Sequence, residues 1–250
     1  MRIRIFIFLL LTALLASCSV TKFVPEGEYL LDKVKVKCDT NALGVNTSEM
    51  RQLVRQRGNS RWFSAARLPL ATYSLSGRDT TKWINRFLRS IGEAPQLYDS
   101  ASTRASMEIL QTQLQNMGYL RASVDVYNEI KGKKKLVTTY LLHPHKPYFI
   151  NKVDYEIRDS AIAVVLNLAD STRRGLKSGM MFNVANLDNE RSRISNYLTN
   201  RGYYRFNKDF ISYKADSVPA ATSSISHLYW ISIVVARKVI FPIRCIPLVM

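Results

Sequence analysis

Two short stretches, Asn116–Arg121 (NMGYLR) and Asn200–Arg205 (NRGYYR), repeat one pattern at an offset of 84 residues. A Gly-Tyr pair stands at the centre of each copy, Gly118-Tyr119 in the first and Gly202-Tyr203 in the second. A period of this size indicates tandem small domains rather than a solenoid of short repeats. These four residues are therefore predicted to form a structural turn that occurs once in each domain.

The residues around the first Gly-Tyr pair predict a helix followed by a hairpin. An apolar stripe at helical spacing runs through Met107, Leu110, Leu114 and Met117. Gly118 then falls where a helix ends in a left-handed residue, a conformation that glycine adopts without a Cβ penalty. Beyond it, Leu120–Val126 alternates as a half-buried strand does. Leu136–Leu142 follows the KGKKK turn as the partner strand.

The second copy predicts the same elements in the same order. Residues 153–157 alternate as a strand, and Ala161–Leu168 is a short apolar run that predicts a helix. A second helix is expected to begin near Asn186, a favourable cap residue, and Tyr203–Tyr213 is the expected strand of the hairpin. The fold class predicted for each unit is therefore α+β, in the order strand, helix, helix and hairpin.

The first region contains more sequence between its first strand and its hairpin. Val34 and Val36 alternate with lysines as a strand. A further helix carries an amphipathic stripe formed by Trp83, Ile84, Phe87, Leu88 and Ile91. We interpret residues 18–146 as one enlarged unit.

The N-terminus has the pattern of an export signal. Arg2 and Arg4 precede an apolar run over residues 5–16, which is shorter than the ~20 residues that a membrane-spanning helix needs. Leu15–Cys18 (LASC) follows directly and resembles the bacterial lipobox. Residues 1–17 are therefore expected to be a signal peptide, and Cys18 the lipidated residue. The alternative is an ordinary signal peptide with an incidental cysteine.

Composition limits the possible partners. Removal of the signal peptide leaves 34 basic and 19 acidic residues, a formal charge of +15. Export argues against nucleic acid as a partner, and the scattered basic residues fit a solvated surface or an anionic ligand. Besides Cys18 there are only Cys38 and Cys245, which are too far apart to indicate a disulfide framework, and Cys38 is expected to end a strand.

The sequence contains little that indicates catalysis. His143-Pro144-His145 has no acidic residue or cysteine beside it to complete a metal site. No Gly-x-Ser-x-Gly elbow, phosphate loop or glycine-rich dinucleotide turn is present. We therefore expect a protein that is not an enzyme, with no catalytic residue, no metal and no cofactor.

Several segments together resemble the POTRA domains of BamA/TamA-type outer-membrane assembly factors. They are Ser19–Leu31, the Arg89–Asp99 segment with its Ile-Gly-Glu-Ala-Pro run, both Gly-Tyr turns and Pro147–Ile150. The resemblance is closest to the lipidated translocation and assembly module members of this family, TamL. It implies tandem POTRA-like domains at the periplasmic face of the outer membrane. Their partners would be outer-membrane protein clients and assembly-module subunits, bound by strand addition at the hairpin edge.

The resemblance also implies a barrel after these domains, and the sequence departs from that pattern. No series of alternating ten-residue segments follows Asp216, so no transmembrane barrel is expected in this chain. Leu228–Ala236 is apolar, but Arg237-Lys238 ends the run, so it is too short to span a membrane, and it does not have the pattern of the missing closing strand. We therefore expect residues 147–216 to form an incomplete second POTRA-like domain, and 217–250 an aberrant tail from a truncated or frame-shifted gene.

Two other functions remain open at this point. A stand-alone cationic lipoprotein would bind an anionic envelope polymer or lipid, and this binding would weaken with salt because charge attraction is screened. An envelope hydrolase is a third, weaker hypothesis.

Overall fold

The computed structural model describes residues 21–60, 68–77, 79–167, 174–219 and 227–235, with the backbone alone for residues 68, 167, 216–219 and 227–235. The chain divides into two compact units. The first runs to Leu110 and resumes over Val124–His143, and the second comprises Gln111–Ser123 and the chain from Pro144 onward. The domain limits derived from the sequence remain predictions, and the signal peptide and Cys18 lie outside the described residues.

The first unit combines a three-stranded sheet with helices. Its elements are β1 (Leu30–Cys38), α1 (Thr47–Gln52), α2 (Leu68–Leu75), α3 (Trp83–Ile91), α4 (Ser100–Asn116, whose last residues belong to the second unit), β2 (Ser123–Lys131) and β3 (Lys135–His143). The strand order is β1-β3-β2, and β1 runs parallel to β3. Residues 132–134 join β2 to β3, and a connection this short requires antiparallel strands.

The second unit repeats this sheet topology. Its elements are β4 (Phe149–Ile157), α5 (Ser160–Asn167), α6 (Val184–Thr199), a 3-10 turn (Lys208–Phe210), β5 (Ile211–Pro219) and β6 (His227–Val235). The strand order is β4-β6-β5, with β6 parallel to β4 and antiparallel to β5. The predicted α+β class is confirmed, and each unit has the order strand, helices and hairpin. The first unit carries four helices among its described residues, and the second carries two.

The expectation that the second unit lacks its closing strand is wrong. Strand β6 pairs along its whole length, from Phe149 opposite Leu228 to Ile157 opposite Val235. Residues 217–219 also continue β5 rather than starting a tail. The physical reason is that β6 is a central strand, and a run of β-branched and aromatic residues can form such a strand without polar alternation.

The offset between the two copies also grows along the chain. It is 84 residues at the Gly-Tyr turns, 88 residues between the starts of β2 and β5, and 92 residues between those of β3 and β6. The 3-10 turn before β5 and the longer connection before β6 account for the increase. At the fixed offset of 84 residues, Leu136–Leu142 corresponds to residues 220–226, which precede β6.

The second unit has a continuous apolar core. The buried residues come from β4, both helices, the loop between them, the Gly-Tyr turn with the segment after it, and β5: Ile150, Ile162, Leu176, Leu187, Ile194, Leu198, Tyr203, Phe206 and Ile211. Full burial of each large aliphatic side chain is worth about 1.5–3 kcal/mol. In the first unit, Val24, Leu30 and Leu70 form a smaller buried cluster against Leu97.

Helix α6 begins earlier than the sequence predicted. Its cap is Asn183, whose side-chain oxygen accepts from the backbone N–H of Ala185 at 2.8 Å. Asn186 lies inside the helix. Glu190 is consequently in the middle of the helix rather than near its N-terminus.

No helix within the described parts of the chain is long and apolar enough to cross a membrane.

Candidate functional site

The two Gly-Tyr turns have the same backbone geometry. Gly118 has φ 98° and Gly202 has φ 96°, in the region that favours glycine. The N–H of Tyr119 bonds the carbonyl of Leu114 at 3.0 Å, and the N–H of Tyr203 bonds that of Leu198 at 3.1 Å. Both tyrosines are buried. Each turn therefore ends a helix and directs the chain toward the first strand of the hairpin.

The space around the two glycines differs. A Cβ on Gly118 would overlap the carbonyl of Phe182, whereas a Cβ on Gly202 would meet nothing within 4 Å. The carbonyl of Gly118 also accepts from the N–H of Tyr148 at 2.9 Å, within the second unit. Gly118 is therefore needed for a close approach of two chain segments as well as for its φ.

The outer edge of β1 is covered at its start by the chain itself. Leu31 N–H donates to Gln96 at 2.8 Å, and Tyr98 N–H donates to Tyr29 at 2.8 Å. Leu30 and Leu97 form an antiparallel bridge between these two bonds. A new strand could not pair with this part of β1 without displacing the segment.

This covering segment is held by the Ile-Gly-Glu-Ala-Pro run that carries the family resemblance. A Cβ on Gly92 would lie 2.5 Å from the backbone nitrogen of Tyr73, so glycine permits the contact with α2. The buried side chain of Asn59 donates to the carbonyl of Ala94 at 2.7 Å and accepts from the N–H of Gln96 at 3.0 Å. The run thus has a structural role, which the sequence did not reveal.

The second unit covers β4 in the same way. Ile150 N–H donates to Met180 at 2.8 Å, and Gly179 N–H donates to Ile150 at 2.7 Å. Phe149 and Met181 form an antiparallel bridge. Each unit therefore has a protected edge at its first strand and a second edge at the first strand of its hairpin, β2 or β5.

Strand β2 forms the open edge of the first unit's sheet. Its outer side pairs with no strand among the described residues, and most of its side chains are exposed. Tyr127 is 56% exposed and Ile130 is 55% exposed, so apolar surface accompanies the unpaired backbone groups. The Asn128 amide donates to the Tyr98 hydroxyl at 2.9 Å and accepts from the Thr138 hydroxyl at 3.0 Å. These bonds link β2 to β3 and to the segment that covers β1. An unpaired strand edge of this kind can accept another strand.

A buried carboxylate in the second unit was not recognised from the sequence. Glu190 is 1% exposed. It accepts from the Tyr155 hydroxyl and Gly175 N–H at 2.9 Å, and from Nε and Nη2 of Arg193 at 2.7 Å. Burial raises the pKa of Glu190, but these donors outweigh it and hold the pKa below its ordinary value.

The same cluster shifts the pKa of a tyrosine. Burial, together with the negative charge of Glu190, raises the pKa of Tyr155 well above its ordinary range. The guanidinium of Arg174 lies 4.7 Å from the centre of the Tyr155 ring. The cluster joins β4, α6 and the loop before α6 by satisfied polar contacts, so we interpret it as structural.

The histidine motif forms contacts of another kind. His143 Nδ1 lies 2.6 Å from a carboxylate oxygen of Asp39, and Nε2 lies 3.3 Å from one of Asp125. The exposed His145 has φ 59°. No group of three or more His, Cys, Asp or Glu residues suited to a metal occurs within the described ranges.

The cysteines are placed as follows. Cys38 is the last residue of β1, with a free thiol of intermediate exposure. Cys18 and Cys245 lie outside the described residues.

No protein-family model and no curated protein matches this chain. Among solved structures, the chain is similar to POTRA domains 3–5 of Haemophilus influenzae BamA, with 14% identity and a TM-score of 0.39 over 86% of this chain and 69% of that one. It is similar to Haemophilus ducreyi BamA lacking POTRA domains 1–3, with 15% identity and a TM-score of 0.41 over 84% of this chain and 30% of that one. It is also similar to POTRA domains 1–2 of Anabaena Omp85, with 11% identity and a TM-score of 0.33 over 84% of this chain and 96% of that one.

Proposed function

We propose that this chain is a lipid-anchored, periplasm-facing arm in outer-membrane protein assembly, related to the TamL type, that holds extended client or partner segments on the open edge of β2. The observation that supports this function is the asymmetry of each sheet. The chain covers the start of the first strand, whereas no strand among the described residues pairs with the outer edge of the hairpin.

Strand addition suits a general assembly factor because main-chain hydrogen bonds do not depend on the client sequence. Exposed Tyr127 and Ile130 add apolar contacts at this edge. The function requires no catalytic group, and every step is a binding step.

A photocrosslinking experiment tests the edge. Benzoylphenylalanine replaces Tyr127 in one variant and Tyr204, which is 58% exposed and lies in the Gly-Tyr turn, in a control variant. The probe is a synthetic peptide of alternating apolar and polar residues, as in an outer-membrane strand. We expect crosslinking at position 127 only, and loss of crosslinking when prolines remove alternate N–H groups from the peptide. Equal labelling at both positions, or labelling that tolerates the prolines, would contradict strand addition.

The anchor is tested separately. We expect Cys18→Ala to abolish acylation and to remove the chain from the membrane fraction, because acyl chains on this residue would supply the anchor. Retention of the variant in that fraction to the wild-type extent would reject the lipid-anchor proposal.

The formal charge of +15 that would remain after removal of the signal peptide favours one alternative, a cationic lipoprotein that binds an anionic envelope polymer. Its binding should collapse as salt rises. Peptide capture at the β2 edge should change little over the same range, so one salt titration separates the two functions.

A further inference from the structure

The apolar side of helix α3 faces solvent in the first unit. Trp83 is 72% exposed, Ile84 49%, Phe87 55% and Ile91 59%. The buried residue of this helix is instead polar: Asn85 accepts from the N–H of Gly77 at 2.9 Å. A helix that packs by its polar side and exposes four large apolar side chains presents an interaction surface.

Specific contacts on the inner side of α3 fix this orientation. Arg89 donates from Nη2 to the carbonyl of Gly77 at 2.9 Å and from Nε to the hydroxyl of Ser76 at 3.2 Å. The Asn85 amide also donates to the carbonyl of Asp79 at 2.7 Å. Rotation of the helix to bury its apolar side would break these bonds. Specific contacts therefore keep the apolar face of α3 exposed. We define this face as Trp83, Ile84, Phe87 and Ile91.

The segment that follows the expected lipidation site docks beside this helix. The Phe23 ring packs edge-on against Tyr73 with centroids 5.4 Å apart, and the Arg89 guanidinium lies 5.5 Å from the Phe23 centroid. Lys22 Nζ donates to the carbonyl of Ser76 at 3.1 Å. The N-terminal chain is thus attached to α2 and α3.

A lipid on Cys18 would be tethered to the segment that packs beside α3. Thr21 is the first described residue, and the three residues from Cys18 to Thr21 reach at most about 10 Å. Helix α3 has nine residues and is therefore about 13 Å long. Acyl chains on Cys18 would therefore keep the N-terminal segment, which packs beside α3, within a short tether of the bilayer.

Basic side chains surround a surface cavity beside the N-terminal segment and α3. A surface cavity of about 460 Å³ is lined by Lys22, Arg89 and Lys134, with Glu26 as the acidic residue among its lining. Lys134 Nζ also donates to the carbonyl of Val24 at 2.8 Å. Lys134 belongs to the turn of residues 131–135, which contains four lysines. The hairpin turn and the N-terminal segment therefore form one basic area.

We propose that the apolar face of α3 and this basic area form a single membrane-contact surface that rests on an anionic bilayer; the proposal rests in part on lipid anchoring at Cys18. Tryptophan and phenylalanine beside lysine and arginine are the side chains that place an amphipathic helix in the plane of a lipid interface. Lysine clusters add attraction to anionic headgroups. A second copy of the chain fits this surface less well because it would bring like charges together.

Trp83 gives a direct test with the full lipidated chain. The protein is reconstituted into phosphatidylethanolamine vesicles with phosphatidylglycerol, and brominated acyl chains quench any tryptophan that enters the interface. The difference between wild type and Trp83→Phe isolates the Trp83 emission from that of Trp62 and Trp230. We expect bromolipids to remove most of the Trp83 emission, and acrylamide, a quencher in water, to become less effective. Replacement of phosphatidylglycerol by phosphatidylcholine should reduce the bromolipid effect.

Matched variants and flotation separate the possible outcomes. Phe87→Ser should lower the quenching of Trp83, whereas Leu43→Ser, at a residue 69% exposed elsewhere, should not. A chain that floats with the vesicles while acrylamide still quenches Trp83 would overturn the surface and leave the anchor intact. Protection from acrylamide without quenching by bromolipid would indicate a protein on this face and would also overturn the proposal. A chain that neither floats nor is quenched would overturn both the surface and the anchor.

Discussion

Two ion pairs on helix α6 have the same spacing and very different surroundings. Glu190 and Arg193 lie 2.7 Å apart, with side chains 0% and 30% exposed. Asp188 and Arg191 lie 3.8 Å apart, with side chains 47% and 28% exposed. Because the backbone and the i,i+3 relation are shared, the two pairs provide an internal comparison of a buried and a surface charge.

Replacement of each arginine by methionine keeps an unbranched, flexible side chain and removes the guanidinium group with its charge. We expect Arg193→Met to lower the free energy of unfolding of the second unit by about 3 kcal/mol, because it leaves a buried carboxylate without its cation. Arg191→Met should cost about 1 kcal/mol or less. It removes an exposed pair and one hydrogen bond to the carbonyl of Lys208, and Asp188 retains Lys208 at 3.3 Å.

The loss of stability in Arg193→Met should depend on pH, and its sign follows from the pKa of Glu190. The pKa of Glu190 in the folded protein lies below its ordinary value of 4.5. Stability from ionised Glu190 is therefore fully present above pH 4.5 and is lost as the pH falls through the depressed folded pKa. The difference between wild type and Arg193→Met should consequently narrow below about pH 4.5, whereas that for Arg191→Met should change little.

Urea unfolding and hydrogen exchange of peptides from α6 measure both effects. Faster exchange should be confined to the second unit in Arg193→Met and be nearly absent in Arg191→Met. Equal losses for the two variants, or a loss for Arg193→Met that is the same at pH 7 and at pH 3, would show that the buried pair does not stabilise this unit as argued.

Three further substitutions test the local structure. Gly202→Ala should cost about 1–2 kcal/mol from its positive φ alone. Gly118→Ala should cost about 2–5 kcal/mol, because a steric overlap with the carbonyl of Phe182 is added. Equal melting shifts for the two variants would contradict the argument for close approach. Gly92→Ala should destabilise the first unit by about 1–3 kcal/mol, because the new methyl group would collide with the backbone of α2. Hydrogen exchange in α2 and α3 should become faster, and unchanged exchange there would contradict the close contact. Asn183→Ala should lower the free energy of unfolding by about 1 kcal/mol because it removes a helix cap, whereas Asn186→Ala should lower it much less. A larger loss of thermal stability in Asn186→Ala would indicate that Asn186 is the cap.

Local patterns were sufficient for the α+β class and for the repeated turn. A stripe such as Leu110 and Leu114 reports helical period directly, and a Gly at the end of such a stripe marks a left-handed residue. Gly118 and Gly202 have that positive φ. These features depend on residues close in sequence, so the sequence contains the whole signal.

Strand β6 could not be assigned in this way because its place depends on distant partners. Its sequence, HLYWISIVV, lacks alternation, and its pairing with β4 joins residues about 80 positions apart. Only the tertiary structure places the strand between β4 and β5, where it completes the sheet.

By itself, the sequence determined the repeated helix-turn-strand pattern at Gly118 and Gly202, and that α3 has one apolar side. Only the tertiary structure decided that Trp83 and Phe87 face solvent, because periodicity defines a face but not what covers it. Tertiary structure likewise decided that Glu190 is buried between Tyr155 and Arg193, since a glutamate in an amphipathic helix is exposed by default. It also decided which edge of each sheet is covered, because Gln96 and Met180 reach their strands through contacts that no local pattern encodes.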